Sequence, residues 1–302
     1  MKISGTWSAV GLLLASLTYA SAQVTVEVTQ EQQQFVSGEA LKAAVRITNL
    51  SGQTLHMGAE SDWLTFEIAS REGVVVPKFA EVPVTGEFEL ESSKVAIKRV
   101  DLAPFFALNQ SGSFQVVATV RLPGWKRELT SAPKIFDVIQ GVKLWEQEVG
   151  VPKAGDTNHG EPETRHYILQ QANYYRGRMR LYVRVTDGYG KPIRVMPLGP
   201  IVSFGRPERQ IDKLSNLHVL FQEGASAFNY SVCNLAGEIT THQTYDHTDS
   251  RPRLRADGDG NISVFGGNRR ITASDIPSPN SDDADATNAP AGPQLGATNP
   301  AK

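Results

Sequence analysis

The sequence has almost no cysteine. Its single thiol, Cys233, excludes a disulfide within the chain, so stability must come from hydrophobic cores. Because Cys233 lies on a stretch that alternates apolar and polar residues, we expect this thiol to be buried and unreactive. A chain of 302 residues is long enough to form two domains.

An excess of charge of one sign is also missing. The 30 basic and 32 acidic side chains leave a formal net charge of −2 and a pI near 6.3. Such a chain has no global positive field to attract nucleic acid, so we expect no nucleic-acid partner. Beyond the N-terminal residues no apolar run reaches the roughly 20 residues of a membrane-spanning helix, and we expect no stable membrane insertion.

Helical periodicity is the third absence. No segment sustains apolar residues at positions i, i+3 and i+4, whereas alternation with a period of two is common and is typical of strands. The clearest alternating runs are Val24-Val26-Val28, Leu64-Phe66-Ile68, Phe114-Val116-Ala118-Val120, Met179-Leu181-Val183-Val185 and Phe228-Tyr230-Val232. Turn signals such as Ser37-Gly38 and Ser111-Gly112 separate the runs. The sequence therefore predicts an all-β protein with little helix.

The N-terminus has the three parts of a secretory signal peptide. Lys2 supplies the positive region, Val10 to Leu17 the apolar core, and Ala20-Ser21-Ala22 a cleavage site of small residues. We therefore predict that residues 1–22 are removed after Ala22 and that the mature protein is secreted or periplasmic. The absence of paired cysteines favours a bacterial envelope.

Changes of pattern divide the mature chain into four segments. Strand-like runs fill residues 23–140 and 165–272, which we interpret as two β domains. Residues 141–164 contain a Gly- and Pro-bearing stretch without periodicity, which predicts a linker. Residues 273–302 hold almost no large apolar side chain, which predicts a disordered tail.

The second domain contains an internal repeat. Residues 166–195 and 218–245 both begin with His and an apolar run, and both continue through Gln into an alternating strand. Asp187-x-x-Gly190 ends that strand in the first copy and Asn234-x-x-Gly237 ends it in the second. The repeat predicts a domain of two related antiparallel sheets. His166 and His218 head the copies, and we expect them to share a packing role.

The first domain resembles bacterial immunoglobulin-like domains. Phe35-Val36-Ser37-Gly38-Glu39 followed by Val45-Arg46-Ile47-Thr48-Asn49 is similar to the opening of that family. Val100-Asp101-Leu102 followed by Gly112-Ser113-Phe114-Gln115-Val116 is similar to its late strand pair. Phe114 stands where the family often has Tyr, so the usual hydroxyl hydrogen bond is lost. The resemblance implies a β-sandwich over residues 23–140 and implies no function.

The end of the second domain resembles blades of sialidase-like β-propellers. Arg251-Pro252-Arg253-Leu254-Arg255 leads through Asp257-Gly258-Asp259-Gly260-Asn261 into the strand Ile262-Ser263-Val264. The chain departs from the blade motif because no Ser or Thr stands two residues before Asp257 and no Trp closes the motif. Two blades do not close a propeller. The resemblance therefore leaves two alternatives, a sandwich of repeated sheets and a partial propeller.

One alternating strand offers a candidate binding surface. Alternation places Arg178, Arg180, Tyr182 and Arg184 on the face opposite Met179, Leu181 and Val183. An exposed row of Tyr and Arg suits partner binding, because both residue types are enriched at interface hot spots. The alternative is a solvated outer face with no partner.

Two clusters have the composition of metal ligands. Asp257, Asp259 and Asn261 have the first spacings of a calcium loop, although Ile262 and Asn268 occupy positions where that loop needs Gly and Glu. A plain hairpin turn is the alternative. His242 and His247 lie an odd number of positions apart, so on a strand they would face opposite ways and not share a zinc ion.

The sequence holds no assembled catalytic motif, and we expect neither enzymatic activity nor a cofactor. We predict an exported binding or structural protein that recognises a protein or a glycan at the cell surface. Self-association stays open. One alternative is a glycosidase-like propeller enzyme fragment. The other is a secreted protease inhibitor that acts through a protruding loop of the first domain, from Leu122 to Ser131.

Overall fold

The computed structural model describes residues 24–151, 163–174 and 177–277. The predicted signal peptide, the unpatterned part of the predicted linker from 152 to 162 and most of the predicted tail, from 278 onwards, lie outside these ranges. Within them, the regular structure is strands and two short 3-10 turns, Ala103–Phe105 and Pro123–Trp125. The all-β prediction is confirmed.

Ten strands form the first half of the chain. They are β1 (Val24–Gln30), β2 (Gln34–Val36), β3 (Lys42–Asn49), β4 (Leu55–Met57), β5 (Leu64–Ser70), β6 (Phe88–Leu90), β7 (Val95–Asp101), β8 (Gly112–Leu122), β9 (Arg127–Thr130) and β10 (Lys134–Ile139). One sheet has the order β1-β3-β7 and the other β2-β10-β8-β5, with β9 paired to β8 and β2 running parallel to β10. A small pair, β4-β6, stands beside them.

The two larger sheets of the first half share one hydrophobic core. Inward side chains such as Val26 and Ile47 from one sheet meet Val116 and Phe136 from the other. Trp63 is fully buried in this core, and its indole N–H donates to the carbonyl of Val84 at 2.8 Å. The first half is therefore a β-sandwich.

Eleven strands form the second half. They are β11 (Val142–Gly150), β12 (Thr164–Tyr174), β13 (Arg178–Asp187), β14 (Pro192–Ile201), β15 (Glu208–Ile211), β16 (Leu217–Gln222), β17 (Ala227–Cys233), β18 (Ile239–Asp246), β19 (Arg253–Ala256), β20 (Ile262–Phe265) and β21 (Asn268–Arg270). The strands β11-β12-β13-β14 form one antiparallel meander, and β15-β16-β17-β18 repeat it in the same order, with β21 added at the end. The predicted pair of repeated sheets is confirmed.

The two meanders pack face to face. Leu181 and Val183 of the first meet Val219 and Phe221 of the second in a common core. Tyr167 lies fully buried between them, and its hydroxyl approaches the carbonyl oxygens of Ser215 and Cys233 at 3.0 and 3.2 Å. Cys233 itself is 1% exposed, as predicted, and burial raises the pKa of its thiol to about 12.

A single turn geometry ends several hairpins of the second half. In the turn after β13, the Asp187 side chain accepts hydrogen bonds from the backbone N–H groups of Tyr189 and Lys191. Asn234 makes the equivalent bonds after β17. Each turn needs a residue of positive φ, supplied by Gly190 and Gly237, which explains why both copies of the repeat carry Gly there.

The β15–β18 meander also carries apolar side chains on its far face. Leu220, Phe228 and Tyr230 pack there against Leu254 of the β19-β20 hairpin. The hairpin is attached to β15 through side chains, because Glu208 accepts the Leu254 N–H at 3.0 Å while Gln210 approaches the Leu254 carbonyl at 3.4 Å.

Two predicted boundaries need correction. Residues 142–150 of the predicted linker form β11, which pairs with β12. Alternation does not reveal this strand, because the register shifts between Lys143 and Trp145 and few of its side chains are buried. The start of the predicted tail is also structured, since Ile276 exchanges backbone hydrogen bonds with His242 of β18. No helix in the described ranges is long and apolar enough to cross a membrane.

The two equivalent glycines should respond differently to alanine. Gly190→Ala should lower the free energy of unfolding by about 1 kcal/mol, because an added Cβ meets open space and only the positive φ is strained. Gly237→Ala should cost about 2 to 3 kcal/mol, since its Cβ would lie 2.7 Å from Cβ of Arg194. Urea unfolding of both variants measures the difference, and equal losses would contradict it.

Candidate functional site

The predicted row of Arg and Tyr lies largely at the junction of the two halves. Tyr182 is fully buried and packs with Val36 of the first half and Val195 of the second. Arg184 donates to the carbonyl of Ser37 at 2.6 Å, and Arg180 donates to the Gln32 side chain at 3.3 Å. The expectation of an exposed row is therefore wrong for Tyr182 and for the half-buried Arg184.

The first half of the chain covers Tyr182 and Arg184. The alternation pattern of a single strand does not reveal such a contact with a distant segment. Alternation placed Tyr182 opposite Leu181 correctly, but both faces of the strand are covered. Arg178 is the exposed member of the row. Contacts within the chain do not test whether this row binds a partner. A binding role for Arg178, Arg180, Tyr182 and Arg184 therefore stays a prediction.

A buried carboxylate lies at the same junction. Glu39 is 5% exposed and accepts hydrogen bonds of 2.8 Å from the Gln32 amide and from the Val36 N–H. Its backbone forms an isolated parallel bridge with Val195. Burial raises the pKa of Glu39, and the hydrogen bonds and the charge of Arg180 only partly oppose that rise.

The raised pKa gives the junction a pH dependence. The contribution of Glu39 to stability is complete below its unfolded pKa, about 4.5, and is lost as the pH rises through its folded pKa. The unfolding free energy of the wild type relative to Glu39→Gln should therefore fall as the pH rises above about 4.5 and level off above the folded pKa. Glu31→Gln, at an exposed position, is the matched control. A relative stability that rises with pH would contradict the assignment.

The candidate calcium loop forms the turn between β19 and β20. The Asp257 carboxylate accepts hydrogen bonds from the backbone N–H groups of Asp259 and Asn261 and from the Asn261 amide, at 2.8 to 3.0 Å. These contacts account for the spacing of the three residues as a hairpin turn. Within the described ranges, no group of three or more His, Cys, Asp or Glu side chains converges to hold a metal ion. Calcium binding stays a prediction.

The other candidate histidines lie apart from one another. His242 contacts the Ser231 hydroxyl at 3.0 Å, while His247 packs edge-on against Phe228. His166 lies 3.6 Å from a carboxylate oxygen of Glu146. Each ring has its own neighbours, and within the described ranges none of the three joins a group of three or more potential metal ligands.

A cleft of about 520 Å³ opens between the β15–β18 sheet and the β19-β20 hairpin. The hairpin covers only part of the sheet face, and the remainder of that face forms the floor of the cleft. The lining side chains that carry its chemistry are Asp212, His218, Tyr230, Gln243, Tyr245 and Asn261. This volume lies within the roughly 300 to 1,000 Å³ of small-molecule sites. The cleft is the candidate functional site.

Three of these side chains form a hydrogen-bonded chain. His218 is 6% exposed, with Nε2 at 3.2 Å from Oδ2 of Asp212 and Nδ1 at 2.7 Å from the Tyr230 hydroxyl. Register sets this arrangement: Asp212 follows β15, and His218 pairs with Gln210 across β15 and β16. Tyr230 lies on β17 beside Leu220 of β16, on the face that His218 shares.

Burial and hydrogen bonding determine the protonation states of Asp212, His218 and Tyr230. Burial lowers the pKa of His218, against the pull of Asp212, so the imidazole is neutral at neutral pH. Burial alone would raise the pKa of Asp212, but hydrogen bonds from Asn216 and His218 hold it below its usual range. With Asp212 ionised, Nε2–H donates to the carboxylate and Nδ1 accepts from the hydroxyl of Tyr230, whose pKa burial raises.

The sequence pointed to only part of this site. His218 is buried as expected, yet its contacts are polar side chains rather than an apolar core. Asp212, Tyr230 and Gln243 come from three elements, and only the register of the sheet brings them together. The sequence does contain one indication of the site. His218 and Tyr230 interrupt otherwise apolar strands, which indicates that the second face of the sheet is not wholly apolar.

Comparisons with known proteins add little. No protein-family model matches the chain, and no curated protein matches it significantly. Among solved structures, the sporulation control protein Spo0M from Bacillus subtilis aligns at 10% identity, with a TM-score of 0.29. The alignment covers 56% of this chain and 82% of that one. So low a TM-score carries no argument about function.

Removal of the Tyr230 hydroxyl directly tests the hydrogen-bonded chain of Asp212, His218 and Tyr230. Tyr230→Phe should lower the free energy of unfolding by about 1 to 2 kcal/mol, because Nδ1 of His218 is left buried without its donor. Tyr189→Phe is the matched control, since Tyr189 is 93% exposed, and it should change stability by less than about 0.5 kcal/mol. Chemical unfolding measures both. Equal effects would show that the hydroxyl is not bonded as described.

Proposed function

We propose that the protein is an exported, non-catalytic binding protein of the cell envelope or extracellular space that takes its ligand into the cleft beside β19-β20. The observation that carries this proposal is the cleft itself: aromatic and polar side chains line it, and its buried ionisable groups are bound to one another. Export rests on the residue pattern of 1–22 alone.

The strand order supports the finer fold assignments as part of the proposal. The first sandwich has a short strand, β2, parallel to the last strand, β10, and a β1-β3-β7 sheet facing it, which supports an immunoglobulin-like domain. The two meanders have the strand number of propeller blades. Since they bury their faces against each other, the second domain needs no further blades to form a core.

The glycosidase alternative finds less support in the cleft. Glycoside hydrolysis generally needs two carboxyl groups that flank the scissile bond. Asp212 is the one carboxylate among the described residues that line the cleft, and His218 and Asn216 already bind it. No specific feature favours this alternative.

The protease-inhibitor alternative concerns residues 122–131. This segment is a hairpin in which β9 pairs with β8, so half of the proposed loop, Leu122 and residues 127–130, lies in strands of the sheet. Ion pairs of Arg121 with Glu128, at 3.2 Å, and with Asp62 fix its base. An inhibitory loop that docks as an added strand needs free backbone N–H and C=O groups, and those of residues 127–130 are in part already paired with β8.

A side chain that fills the cleft tests the proposed function. Gln243 lines the cleft on β18 beside Tyr230 and is half-buried, so Gln243→Trp should occupy the cleft and block entry. Gln147→Trp, at an exposed position of β11, is the matched control. Immobilised mature protein is incubated with periplasmic and culture fluid of the producing organism, and retained proteins and glycans are identified by mass spectrometry.

The wild type and Gln147→Trp should retain one ligand whose binding Gln243→Trp weakens at least about tenfold. The ligand should be recovered chemically unchanged after prolonged incubation. Equal retention by all three proteins would remove the cleft as the binding site. Conversion of the ligand into a product would contradict the non-catalytic assignment.

A further inference from the structure

Aromatic rings form one wall of the cleft. Tyr230 and Tyr245 stand edge to face with centroids 6.5 Å apart, and His218 lies against Tyr230 with centroids 5.9 Å apart. Tyr245 is half-buried and therefore presents part of its ring to the cleft. Flat aromatic rings pack well against one face of many sugar rings, because the C–H groups of that face form an apolar patch that fits the electron-rich face of the aromatic ring.

The carboxylate of the cleft is already satisfied. Oδ1 of Asp212 accepts from the backbone N–H groups of Leu214 and Asn216. Oδ2 accepts from the Asn216 amide and from His218. These four hydrogen bonds use the acceptor positions of the carboxylate, so Asp212 holds His218 in place and has little capacity left to accept from a ligand.

Other polar groups keep unused capacity. Oε1 of Gln243 accepts from the Tyr245 hydroxyl at 2.9 Å, which leaves the Gln243 amide hydrogens for a ligand. The Asn261 amide donates to Asp257, which leaves its Oδ1 as an acceptor. Tyr230 donates its proton to His218 and retains an acceptor lone pair. Among the described contacts, the cleft therefore offers both donors and acceptors without a net charge.

Charge and shape select the class of ligand. Lys213 is the one cation and Asp212 the one carboxylate among the described lining residues, so their charges balance, and Lys213 also lies near the Asp257 carboxylate. A ligand with a strong charge would therefore gain little. A peptide binds readily to a sheet by adding a strand at a free edge. The cleft lies on the face of the sheet instead, beside the β19-β20 hairpin, where the backbone groups of β16 and β17 already pair with their neighbours.

We infer that the ligand is a neutral glycan, of which one or two sugar residues occupy the cleft, with a sugar face on the Tyr245 ring and hydroxyl groups bound by Gln243, Asn261 and Tyr230. This inference rests on the proposed function and names the ligand class of the same site. Hydroxyl groups fit because each both donates and accepts, as the unused groups of the cleft require.

Calorimetric titration with defined disaccharides tests the inference. The probes are neutral disaccharides of glucose, mannose, galactose and N-acetylglucosamine, with a uronic acid disaccharide and a Tyr-containing tripeptide as charged and peptide controls. The mature wild type is compared with Gln243→Ala and with Tyr245→Leu, which retains apolar contact with the hairpin but lacks the flat ring. Gln147→Ala and Tyr189→Leu are matched controls at exposed positions. Thermal unfolding verifies that each variant is folded.

At least one neutral disaccharide should bind, and each cleft variant should weaken it by about tenfold or more while the controls leave it unchanged. Preferential binding of the uronic acid or the peptide would overturn the inference. The inference would also be overturned if no neutral sugar bound although Gln243→Trp still abolished retention of the ligand found above, and in that case the proposed function stands. Ligand retention that is insensitive to Gln243→Trp would instead remove the proposed function.

Discussion

The β15–β18 sheet has apolar side chains on both faces, and this constraint shapes the second half of the protein. Leu217, Val219 and Phe221 point to one face and pack against the β11–β14 sheet. Leu220 and Phe228 point to the other, where they would meet water if nothing covered them. The β19-β20 hairpin covers that face only in part, because it consists of two short strands. The cleft is the part of the face that it leaves open.

The open part of this face carries polar side chains. Because the hairpin covers this face in part, these polar side chains are tolerated when they are paired with one another. His218 and Tyr230 occupy strand positions that would otherwise hold apolar residues, and each satisfies the other. Asp212 belongs to a turn of the same kind as those at Asp187 and Asn234. Here Asn216 and His218 also bind its second oxygen, so a repeated turn of the fold positions a residue of the site.

Local patterns predicted what depends on local geometry. Period-two alternation indicated the all-β class, the repeated Asx and Gly turns indicated the duplicated sheets, and the Asp257 turn indicated a hairpin. The remaining features depend on contacts between distant segments. Tyr182 is buried by Val36, far away in the sequence, and β11 lacks alternation because both its faces are largely exposed. The cleft residues likewise meet only through strand register, which no single stretch reveals.

The hydrogen-bonded chain fixes the positions of the groups around the cleft. Both ring nitrogens of His218 are occupied, one by Asp212 and one by the Tyr230 hydroxyl, so the ring and the hydroxyl are held in one orientation. Burial raises the pKa of Tyr230 and lowers that of His218, so both groups are neutral at neutral pH. A rigid wall with a few unused donors and acceptors can discriminate among ligands by the positions of their hydroxyl groups, which is the physical basis of the proposed recognition.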